Sequence, residues 1–485
     1  MIRTKQPVSF LDGFDPKRGV ITQKGHELEG KSIANEIVEL PYSVGSTVGT
    51  YKIFESVRYG KAPRAFILQK PDPIILPSML VGIQVKIKGK KKVRKKIYIE
   101  EIKGIDNKLL AYLKREAELA NAEKLIKIDS AQVAGVSYKT CGDGGLEFVK
   151  KMIERKLKVR VMTTLNPAGM DLEKWEEMKI PERFAERQLE LINYFKMLGI
   201  EPTCTCTPYL IGNCPRFGSH IAWAESSAVC FANSCLGCKT NREGSAKSLV
   251  SALTGLTPYY GLHKQEERNP SIEIDVQTKL RNVSDFSTLG FFIGKVCGDK
   301  IPIIKGVKKI SIEGMKSLCA ASAASGAVSL LHIENITPEI KLKKVKPKIN
   351  EKFSFGKNEL KKVYDELNST EKVDLIAIGC PHASINEVRE VAMLLKNRKL
   401  KNVDLWICTS REIKKICERK GFVKKIEKSG GMVVADTCMV VSPIEEMGYR
   451  YVATNSCKAA KYLPSFCKQK VFFSDIKNII NKFSI

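Results

Sequence analysis

The sequence predicts an α/β protein with doubly wound parallel sheets, and two patterns indicate this class. Between residues 350 and 485, four short apolar strands are each followed by a polar loop and a helix: VDLIAIGCPHAS, VDLWICTSREIKK, GGMVVADTCMVV and YRYVATNSCKAAKY. Successive units of this kind place parallel strands side by side with helices on both faces. Between residues 106 and 200, apolar runs such as KVRVMTTLN alternate with charged segments such as PERFAERQLELINYFKMLG, which is typical of layered α/β structure.

The composition is that of a globular protein with room for two or three domains. The chain has 485 residues, 43% of them hydrophobic, and a domain commonly holds about 150 residues. No run of about 18 uncharged apolar residues occurs, so we expect no membrane-spanning helix. The first residues, MIRTKQPVSFLDG, lack the apolar stretch of a secretory signal. We therefore expect a cytoplasmic protein with no membrane partner.

The formal charge of +28 is large, and nucleic acid is the partner that such a charge first suggests. The excess is spread over many lysines, with dense runs at Lys86–Lys96 and Lys341–Lys348. Neither run is interleaved with aromatic residues, and no helix-turn-helix, zinc-finger or RNA-recognition pattern follows. We interpret the charge as solvated linkers and faces, with attraction of an anionic small molecule as the second interpretation. We expect no nucleic-acid partner.

Shifts in composition also divide the chain. We predict a small domain of strands and turns at 1–84, a basic linker at 85–105, and α/β parts at 106–340 and 350–485, with the linker-like ITPEIKLKKVKPKIN between them. In the small domain, IANEIVEL, AFILQ and PIILPSMLVGIQV are strand-like. In the first α/β part, NKLLAYLKREAELANAEKLIKI is typical of one helix, and SYKTCGDGG (137–145) and TTLNPAGMD (163–171) of loops that end or follow strands.

A Gly-Ser-Thr turn precedes an amphipathic helix of the small domain, in SVGSTVGTYKIFESVRYG. Ser46 would lie where backbone N–H groups are unpaired and the helix dipole is positive. Such a place can stabilise an oxyanion on the serine or hold a substrate carboxylate. The alternative is a plain N-terminal cap, which the local sequence alone favours.

Polar and thiol side chains follow the strands of the 350–485 part, at the point where each strand ends. They are Cys380 with His382, Ser410 with Arg411, Asp436 with Cys438, and Asn455 with Lys458. Because the carboxyl ends of parallel strands meet at one edge of a sheet, we expect these side chains to lie close together.

Cysteine chemistry is concentrated in the segment from Cys204 to Arg268, which holds six of the 15 cysteines. We expect no disulfide framework, because the compartment is reducing and the count is odd. Cys380 and Cys438 can meet a third cysteine from this segment. Three thiolates from separate loops are typical of an iron-sulfur cluster with one open iron, which is a Lewis acid.

Spacing alone leaves two other roles open for these cysteines. The CxxC at Cys235 and Cys238, and the group Cys204, Cys206 and Cys214, are equally compatible with zinc. For any single cysteine, a buried thiol that packs as a small hydrophobe is the usual role.

Long motifs in order along the chain resemble the aconitase X family. CTCTPYLIGNCPRFGSHIAWAESSAVCFANS, TNREG, TPYYGLH, SYKTCGDGGLEF, TTLNPAGMD, IGCPHAS, LWICTSR, VADTCMVVSP and TNSCKAAKY resemble its large subunit. VSFLDGFDPKRGVI, HELEGKSIA, LPYSVGSTVGTY and GKAPRAFIL resemble its small swivel subunit. The resemblance implies an aconitase-like fold, with a small β-rich swivel domain and a large catalytic part of α/β/α layers. Both subunits are present in one chain, so no separate small subunit is expected.

The family resemblance implies an iron-sulfur hydro-lyase, that is, a carbon-oxygen lyase. Archaeal members dehydrate (R)-5-phosphomevalonate to trans-anhydromevalonate 5-phosphate in a modified mevalonate route to isoprenoids, and others dehydrate cis-3-hydroxy-L-proline. The GSTVGTY phrase is more like the archaeal branch, whereas a single chain is associated with the hydroxyproline activity. We expect the phosphorylated, anionic substrate, with hydroxyproline as the alternative and an RNA-binding aconitase-like regulator as a remote one.

The same resemblance implies roles for individual residues. Cys206, Cys380 and Cys438 correspond to the ligands of an iron-sulfur cluster, which we expect to be 4Fe-4S, and Ser46 corresponds to the swivel serine that acts as the base. Cys235 and Cys238 correspond to non-ligand positions. The candidates for substrate binding are Lys139, Arg242, Arg411 and Lys458 for the charged groups, Thr140, Asn166 and Ser226 for orientation, and His382 for the hydroxyl.

Overall fold

The computed structural model describes residues 1–89, 97–99 and 102–485. Part of the predicted basic linker, at 90–96 and 100–101, lies outside the described residues. The predicted α/β class is confirmed, because parallel sheets flanked by helices occupy most of the large part of the chain. In the described ranges, no helix is long and apolar enough to cross a bilayer.

The N-terminal domain is built on a parallel four-stranded sheet in the order β1-β5-β7-β8. Its apolar face packs against one helix, α1, through buried side chains such as Phe10, Phe66 and Ile53. Its elements are β1 (Ile2–Arg3), β2 (Val8–Ser9), β3 (Phe14–Asp15), β4 (Val20–Ile21), β5 (Ile37–Leu40), β6 (Ser43–Val44), α1 (Gly49–Arg58), β7 (Ala65–Leu68), a 3-10 helix (Leu76–Val81) and β8 (Gln84–Ile87).

Two expectations for this domain differ from the structure. PIILPSMLVGIQV is not one strand: its middle, Leu76–Val81, forms the 3-10 helix with Pro77 in the first turn, where the missing N–H of proline is tolerated. Gly82 then reverses the chain at φ 92°, which favours glycine. Strand β8 begins after this turn and pairs with β7 up to Ile87, so the sheet continues past residue 84.

The next part of the chain carries two small sheets in the orders β12-β11-β13 and β14-β10-β9. Its elements are β9 (Tyr98–Ile99), α2 (Asn107–Ala120), β10 (Lys124–Lys127), β11 (Ser130–Val133), α3 (Tyr138–Glu154), β12 (Met162–Leu165), α4 (Glu182–Met197), a 3-10 turn (Pro208–Leu210), β13 (Ile221–Trp223), α5 (Ser226–Phe231), a π turn (Ala232–Leu236), α6 (Ser245–Thr254), β14 (Leu256–Pro258) and 3-10 turns at Gly261–His263 and Gln265–Arg268.

Two further expectations were wrong here. The helix predicted over NKLLAYLKREAELANAEKLIKI ends at Ala120, because Asn121 adopts the left-handed conformation and KLIK then pairs as strand β10. SYKTCGDGG is not a loop: Ser137 caps α3 by accepting the N–H of Lys139, and Gly142 provides a kink within the helix. TTLNPAGMD does follow a strand, β12, as predicted.

A third part has a parallel sheet in the order β17-β16-β15-β18. Its elements are β15 (Ile272–Val276), α7 (Val283–Cys297), β16 (Pro302–Lys305), α8 (Ile312–Ser325), β17 (His332–Ile333), α9 (Pro338–Lys341), β18 (Glu351–Phe355) and α10 (Lys357–Leu367). Strand β18 pairs with β15 along its length. The sheet therefore continues beyond residue 350, where we expected a new part to begin.

The last part is the doubly wound parallel sheet that the sequence predicts, in the order β21-β20-β19-β22-β23. Its elements are β19 (Leu375–Ile378), α11 (Ile385–Leu394), β20 (Asp404–Thr409), α12 (Arg411–Arg419), α13 (Phe422–Lys428), β21 (Met432–Ala435), β22 (Tyr451–Thr454), α14 (Cys457–Phe466), β23 (Lys470–Phe473) and α15 (Ile476–Phe483). The strand order reverses between β19 and β22, and ligands of such sheets bind at the carboxyl ends of the strands at that point.

A buried ionic network lies where α2 meets α6 and β14. Lys247 forms an ion pair with Glu243, and Tyr260 donates a hydrogen bond of 3.2 Å to Glu116. Burial raises the pKa of Glu116 to about 7, because the charge of Lys247 only partly offsets the burial and the nearby Glu243. Between pH 4.5, the ordinary pKa of the group, and about pH 7, Glu116 therefore holds a proton in the folded chain that it has lost in the unfolded chain.

This network predicts that Glu116→Gln stabilises the protein above neutral pH. Stability of the wild type falls as the pH rises through the window from 4.5 to 7, since the folded pKa is raised. The variant lacks this loss, so its free energy of unfolding at pH 8 should exceed that of the wild type by on the order of 1–3 kcal/mol. Urea unfolding at pH 5 and pH 8 measures it, with Glu118→Gln on the solvent side of α2 as the control. An equal effect at both pH values would contradict the assignment.

Candidate functional site

One cavity collects side chains from the N-terminal domain, from the β11–β13 sheet and from the doubly wound sheet. The space inside it that water can occupy is about 60 Å³. It lies at the point where the strand order of the last sheet reverses, since residues after β19 and β22 line it. The polar and thiol side chains that line it are Ser46, Thr140, Asn166, Cys206, Glu225, Ser226, Cys380, Cys438, Lys458 and Tyr462.

Three cysteines reach this cavity from three separate loops. Cys380 comes two residues after β19, and Cys438 comes three residues after β21. Cys206 lies between α4 and β13, on a segment tied to β12 by the hydrogen bond from Thr205 N–H to Leu165 O at 2.8 Å. All three thiols are buried within the protein but line the cavity wall. The structure therefore brings together the three cysteines that the sequence predicts as ligands.

The surroundings of the three thiols favour different protonation states. A hydrogen bond from Cys380 lowers the pKa of Cys438 to about 7, and it raises the pKa of Cys380 well above its ordinary value. Burial raises the pKa of Cys206 to about 12, although the charge of Lys458 acts in the opposite direction. Without a bound group, Cys438 is therefore the thiol that ionises most readily, and thiolates are the form that binds metals.

This donor set fits an iron-sulfur cluster, whose usual ligands are cysteine thiolates. Within the parts of the chain that the structure describes, no group of three or more His, Cys, Asp or Glu side chains is arranged to hold one metal ion. The backbone N–H of His382 donates a hydrogen bond of 3.2 Å to Cys206 Sγ, a contact that tunes cluster thiolates.

Ser46 lies in the turn between β6 and α1 and lines the same cavity. It is not the cap of α1: Val48 occupies that position, and the backbone oxygen of Ser46, rather than its hydroxyl, accepts the N–H of Gly49 at 3.0 Å. The turn is possible because Gly45 has φ 83°. Thr47 fixes it to the large part by donating a hydrogen bond of 2.9 Å to Ala224 O. The hydroxyl of Ser46 therefore lies in the cavity with no capping role.

A buried ion pair between Lys458 and Glu225 also lines the cavity. Asn166 donates a hydrogen bond of 2.8 Å to Glu225, and Ser227 donates another of 2.8 Å. Burial alone would raise the pKa of Glu225, but the charge of Lys458 and these hydrogen bonds outweigh it and lower that pKa. Burial would likewise lower the pKa of Lys458, yet the charge of Glu225 and the nearby Cys380 raise it. Both groups are therefore charged at neutral pH.

Arg242 lies beside the serine turn, where its guanidinium donates a long hydrogen bond of 3.4 Å to Gly45 O. Burial lowers its pKa, and Asp72 is the first charge that opposes this effect. Among the described residues, no carboxylate forms an ion pair with Arg242 within 4.0 Å. Arg242 is half-buried and does not line the cavity, but a guanidinium with so little compensation is suited to an anionic ligand.

Three more of the predicted substrate-binding residues, like Arg242, lie outside the cavity lining. Lys139 forms an ion pair with Glu445 at 2.7 Å. Both ring nitrogens of His382 make hydrogen bonds, to Thr205 at 3.0 Å and to Thr437 O at 2.9 Å, and the residue is fully buried. They are thus engaged within the protein rather than open to a ligand.

The third of these residues, Arg411, belongs to a cluster of charged side chains next to the loop that carries Cys438. It pairs with Asp436 and with Asp171, the latter at 2.6 Å. Asp436 has φ 64°, and its backbone oxygen accepts the N–H of Ala168 at 2.8 Å. The guanidinium therefore holds in place the turn that presents Cys438, two residues further along the chain.

Glu225 and Tyr462 line the cavity but are not among the residues that the sequence predicts for the site. Glu225 stands in the sequence WAESS, and its flanking serines mark a carboxylate that is hydrogen-bonded locally, which could have indicated it. Tyr462 lies one helical turn after Lys458 on α14, so helical spacing places both on one face. Burial raises its pKa to about 12.

Models of known protein families match almost the whole chain. The aconitase X swivel domain matches residues 1–116, the first domain 95–266, the second domain 270–365 and the third domain 373–484. The swivel and the domains of the large subunit thus occur in one polypeptide, as the sequence motifs indicate.

Individual relatives fall into two groups. The phosphomevalonate dehydratase large subunit of Methanocaldococcus jannaschii is 52% identical over 372 residues, which are 75% of this chain and 92% of that protein. The small subunit of the Pyrococcus abyssi phosphomevalonate dehydratase is 40% identical over 82 residues, which are 17% of this chain and 63% of that protein. The cis-3-hydroxy-L-proline dehydratase of Pseudomonas aeruginosa is 28% identical over 98% of this chain and 92% of its own length.

Among solved structures, the crystal structure of Thermococcus kodakaraensis aconitase X in its holo form superposes with a TM-score of 0.73 at 42% identity. The match covers 78% of this chain and 95% of that one. The fold expected from the sequence motifs is thereby confirmed.

Proposed function

This chain belongs to the aconitase X family, and from that premise we propose that it dehydrates (R)-5-phosphomevalonate to trans-anhydromevalonate 5-phosphate in a modified mevalonate route to isoprenoids. The observation that carries the proposal is the 52% identity to a phosphomevalonate dehydratase large subunit, against 28% to a hydroxyproline dehydratase. Both groups of relatives are named as dehydratases, so the loss of water does not depend on which substrate is correct.

The N-terminal domain supports the same choice of substrate. A chain with both subunits fused is the form of the hydroxyproline enzymes, which align with 98% of this chain. The swivel half nevertheless resembles the small subunit of a phosphomevalonate dehydratase at 40% identity. We infer that fusion here joins two phosphomevalonate-type subunits, which raises the effective concentration of the swivel at the cavity.

Cys206, Cys380 and Cys438 are the residues that would hold an iron-sulfur cluster of the 4Fe-4S type. Such a cluster supplies an iron with an open position, a Lewis acid that weakens the bond between carbon and a hydroxyl group. The described structure supports this set of ligands, because the three thiols are the cysteines that line the cavity.

Ser46 is the base in the proposed reaction. Its Oγ, as the alkoxide, would remove a proton from the carbon next to the substrate carboxylate, while the hydroxyl on the neighbouring carbon leaves as hydroxide. The proton taken up by Ser46 then completes one molecule of water and restores the alkoxide. Two features of the turn favour negative charge on that oxygen: the start of α1 and the guanidinium of Arg242 beside Gly45. The charge that develops on the substrate carboxylate requires a cation as well.

Lys458 is the cation that lies in the cavity wall, and we propose that it binds the substrate carboxylate. Its ammonium already pairs with Glu225, which Asn166 and Ser227 hold in place, so its position is determined before substrate binds. Thr140 and Ser226 line the same cavity and can orient the substrate by hydrogen bonds. Arg242, on the swivel side, is left for the phosphate.

Replacement of Arg242 tests this division of roles. Arg242→Met should raise KM for phosphomevalonate by about 10- to 100-fold, since a hydrogen bond to a charged group contributes about 1.5–3 kcal/mol. Lys239→Met, which removes a cation three residues earlier on the same segment, should leave KM within about twofold, because Arg242, not Lys239, contacts the turn that carries Ser46. Steady-state kinetics of both variants distinguish a phosphate-binding residue from a general effect of charge. An unchanged KM in Arg242→Met would contradict the role.

The choice of substrate is tested by kinetics with both compounds. The purified chain, reconstituted with iron and sulfide under anaerobic conditions, is incubated with (R)-5-phosphomevalonate and, separately, with cis-3-hydroxy-L-proline. We expect kcat/KM for phosphomevalonate to exceed that for hydroxyproline by at least about 1000-fold, because a site built for a phosphate rejects a ligand that leaves its buried cation unpaired. A preference for hydroxyproline would reject the proposed substrate and retain the dehydratase.

A further inference from the structure

One residue contacts all three of the loops that carry the cavity cysteines. His382 follows Cys380 by two positions and belongs to the loop after β19. Its backbone N–H donates a hydrogen bond of 3.2 Å to Cys206 Sγ, and its ring nitrogen Nδ1 lies 3.0 Å from the hydroxyl of Thr205, the preceding residue. The other ring nitrogen, Nε2, lies 2.9 Å from the backbone oxygen of Thr437, which precedes the third cysteine. The imidazole thus joins the segment between α4 and β13 to the loop after β21.

The chemistry of the partners determines the direction of these hydrogen bonds. The backbone oxygen of Thr437 can only accept, so Nε2 of His382 carries the ring proton and donates it. In the neutral ring Nδ1 is then an acceptor, and the hydroxyl of Thr205 donates to it. The same hydroxyl accepts the N–H of Thr207 at 3.2 Å. One tautomer of His382 therefore satisfies both loops at once.

A buried ammonium holds the same residue from the side of α8. Lys316 donates a hydrogen bond of 2.7 Å to His382 O and forms an ion pair with Glu387. The carboxylate of Glu387 also accepts the N–H of Ser384 at 2.8 Å, at the start of α11. All four polar atoms of His382 are thus hydrogen-bonded, and the residue is fully buried. A satisfied buried network of this kind makes the position of its members rigid.

We propose that His382 is a positioning residue that holds the three cysteine loops in place for an iron-sulfur cluster, an inference that rests on the ligands of the proposed function. Without such contacts, loops from separate parts of the chain must become ordered when the cluster binds, and the lost conformational entropy weakens binding. Groups that support the ligands of a metal typically contribute about 10- to 100-fold to its affinity.

This role differs from the contact with the substrate hydroxyl that the sequence predicts for His382. Both ring nitrogens are engaged by Thr205 and Thr437 within the protein. His382 therefore acts through the cysteines, and its replacement should change how firmly iron is held rather than how tightly substrate binds.

The rate at which iron leaves the protein tests the proposal without any substrate. The full chain is reconstituted with iron and sulfide under anaerobic conditions and mixed with ferrozine, whose iron complex is followed by absorbance. His382→Gln can keep a donor for Thr437 O but loses the acceptor for Thr205, because its amide lies near the position of Nε2. His382→Asn can keep the acceptor and loses the donor. We expect each variant to release iron about 10- to 100-fold faster than the wild type.

Thr205→Val removes the hydroxyl with little change of shape and tests the same bond from its other end, so the proposal does not depend on variants of His382 alone. By itself this change should speed iron release by about 10-fold. It should add less than about twofold to His382→Gln, in which the bond is already lost, but multiply the effect of His382→Asn. A general loss of stability would not give this pattern, because independent effects add in both backgrounds.

Thr288→Val is the matched control for a buried threonine that loses one hydrogen bond. Thr288 is fully buried and donates to Asp285 O at 2.7 Å on α7, a helix that carries none of the three cysteines. Its rate of iron release should stay within about twofold of the wild type. A release as fast as that of Thr205→Val would contradict a specific role for His382.

The possible results separate this inference from the proposed function. A wild type that takes up no iron would reject the ligand set, and the inference with it. A wild type that holds iron, beside variants of His382 that release it at the same rate, would reject the inference alone. KM for phosphomevalonate in the iron-loaded Thr205→Val and His382→Gln proteins should stay within about twofold of the wild type. A rise of 10-fold or more, at about 10 times the wild-type KM, would place His382 at the substrate instead.

Discussion

Replacement of Ser46 by alanine lowers kcat by about 100- to 10,000-fold, the range expected when a general base is removed. The iron content and the thermal unfolding temperature should stay near those of the wild type. The reason is local: the backbone oxygen of Ser46, not its hydroxyl, joins the turn to α1, and Thr47 holds the turn to Ala224 O. Alanine therefore removes the proposed base and leaves the turn in place.

Ser226→Ala is the matched control, since Ser226 lines the same cavity and loses the same atom. Its role as an orienting group predicts a loss of about 10-fold or less, in line with one neutral hydrogen bond. Rates and iron content of both variants are measured side by side. Equal losses in the two variants would argue that Ser46, too, only orients the substrate.

Replacement of Cys206 by alanine abolishes iron binding and activity together. A cluster with two remaining cysteines loses one of its three protein ligands, an effect larger than the roughly 10- to 100-fold loss that follows removal of a supporting group. Iron and sulfide per chain, and the visible absorbance of the reconstituted protein, measure the outcome before any substrate is added.

Cys204→Ala provides the comparison, because Cys204 is a buried cysteine two residues away on the same loop and does not line the cavity. We expect this variant to retain its iron. Loss of iron in Cys204→Ala with retention in Cys206→Ala would reverse the assignment of the ligand. The pair thus separates coordination from the effect of any substitution on this segment.

The sequence predicted the parts of the fold that depend on short-range patterns. Four apolar strands that each precede a loop and a helix identified the doubly wound sheet, and their shared edge brought Cys380 near Cys438. By contrast, SYKTCGDGG has three glycines and was predicted to be a loop. It forms a helix because Ser137 caps it and Gly144 packs against the backbone of Glu55 in α1, a contact between domains.

The sequence could not rank the candidate substrate-binding cations, because it does not show which carboxylate each of them pairs with. Lys139, Arg411 and Lys458 are equally basic in sequence, yet the first two are engaged by Glu445 and by Asp171 with Asp436 away from the cavity. Only Lys458 of these three lines the cavity. The acidic partners, among them Glu225 for Lys458, lie tens to hundreds of residues away, so only the tertiary structure identifies which cation lies in the cavity wall.

The most direct test of the account is the product formed by this single chain from (R)-5-phosphomevalonate. The protein is purified without oxygen, reconstituted with iron and sulfide, and incubated with the substrate in the absence of any added small subunit, and the product is identified by NMR. The account predicts trans-anhydromevalonate 5-phosphate, with one water lost per substrate. Turnover that requires a separately added small subunit, or an iron-loaded protein that leaves phosphomevalonate unchanged, would contradict it.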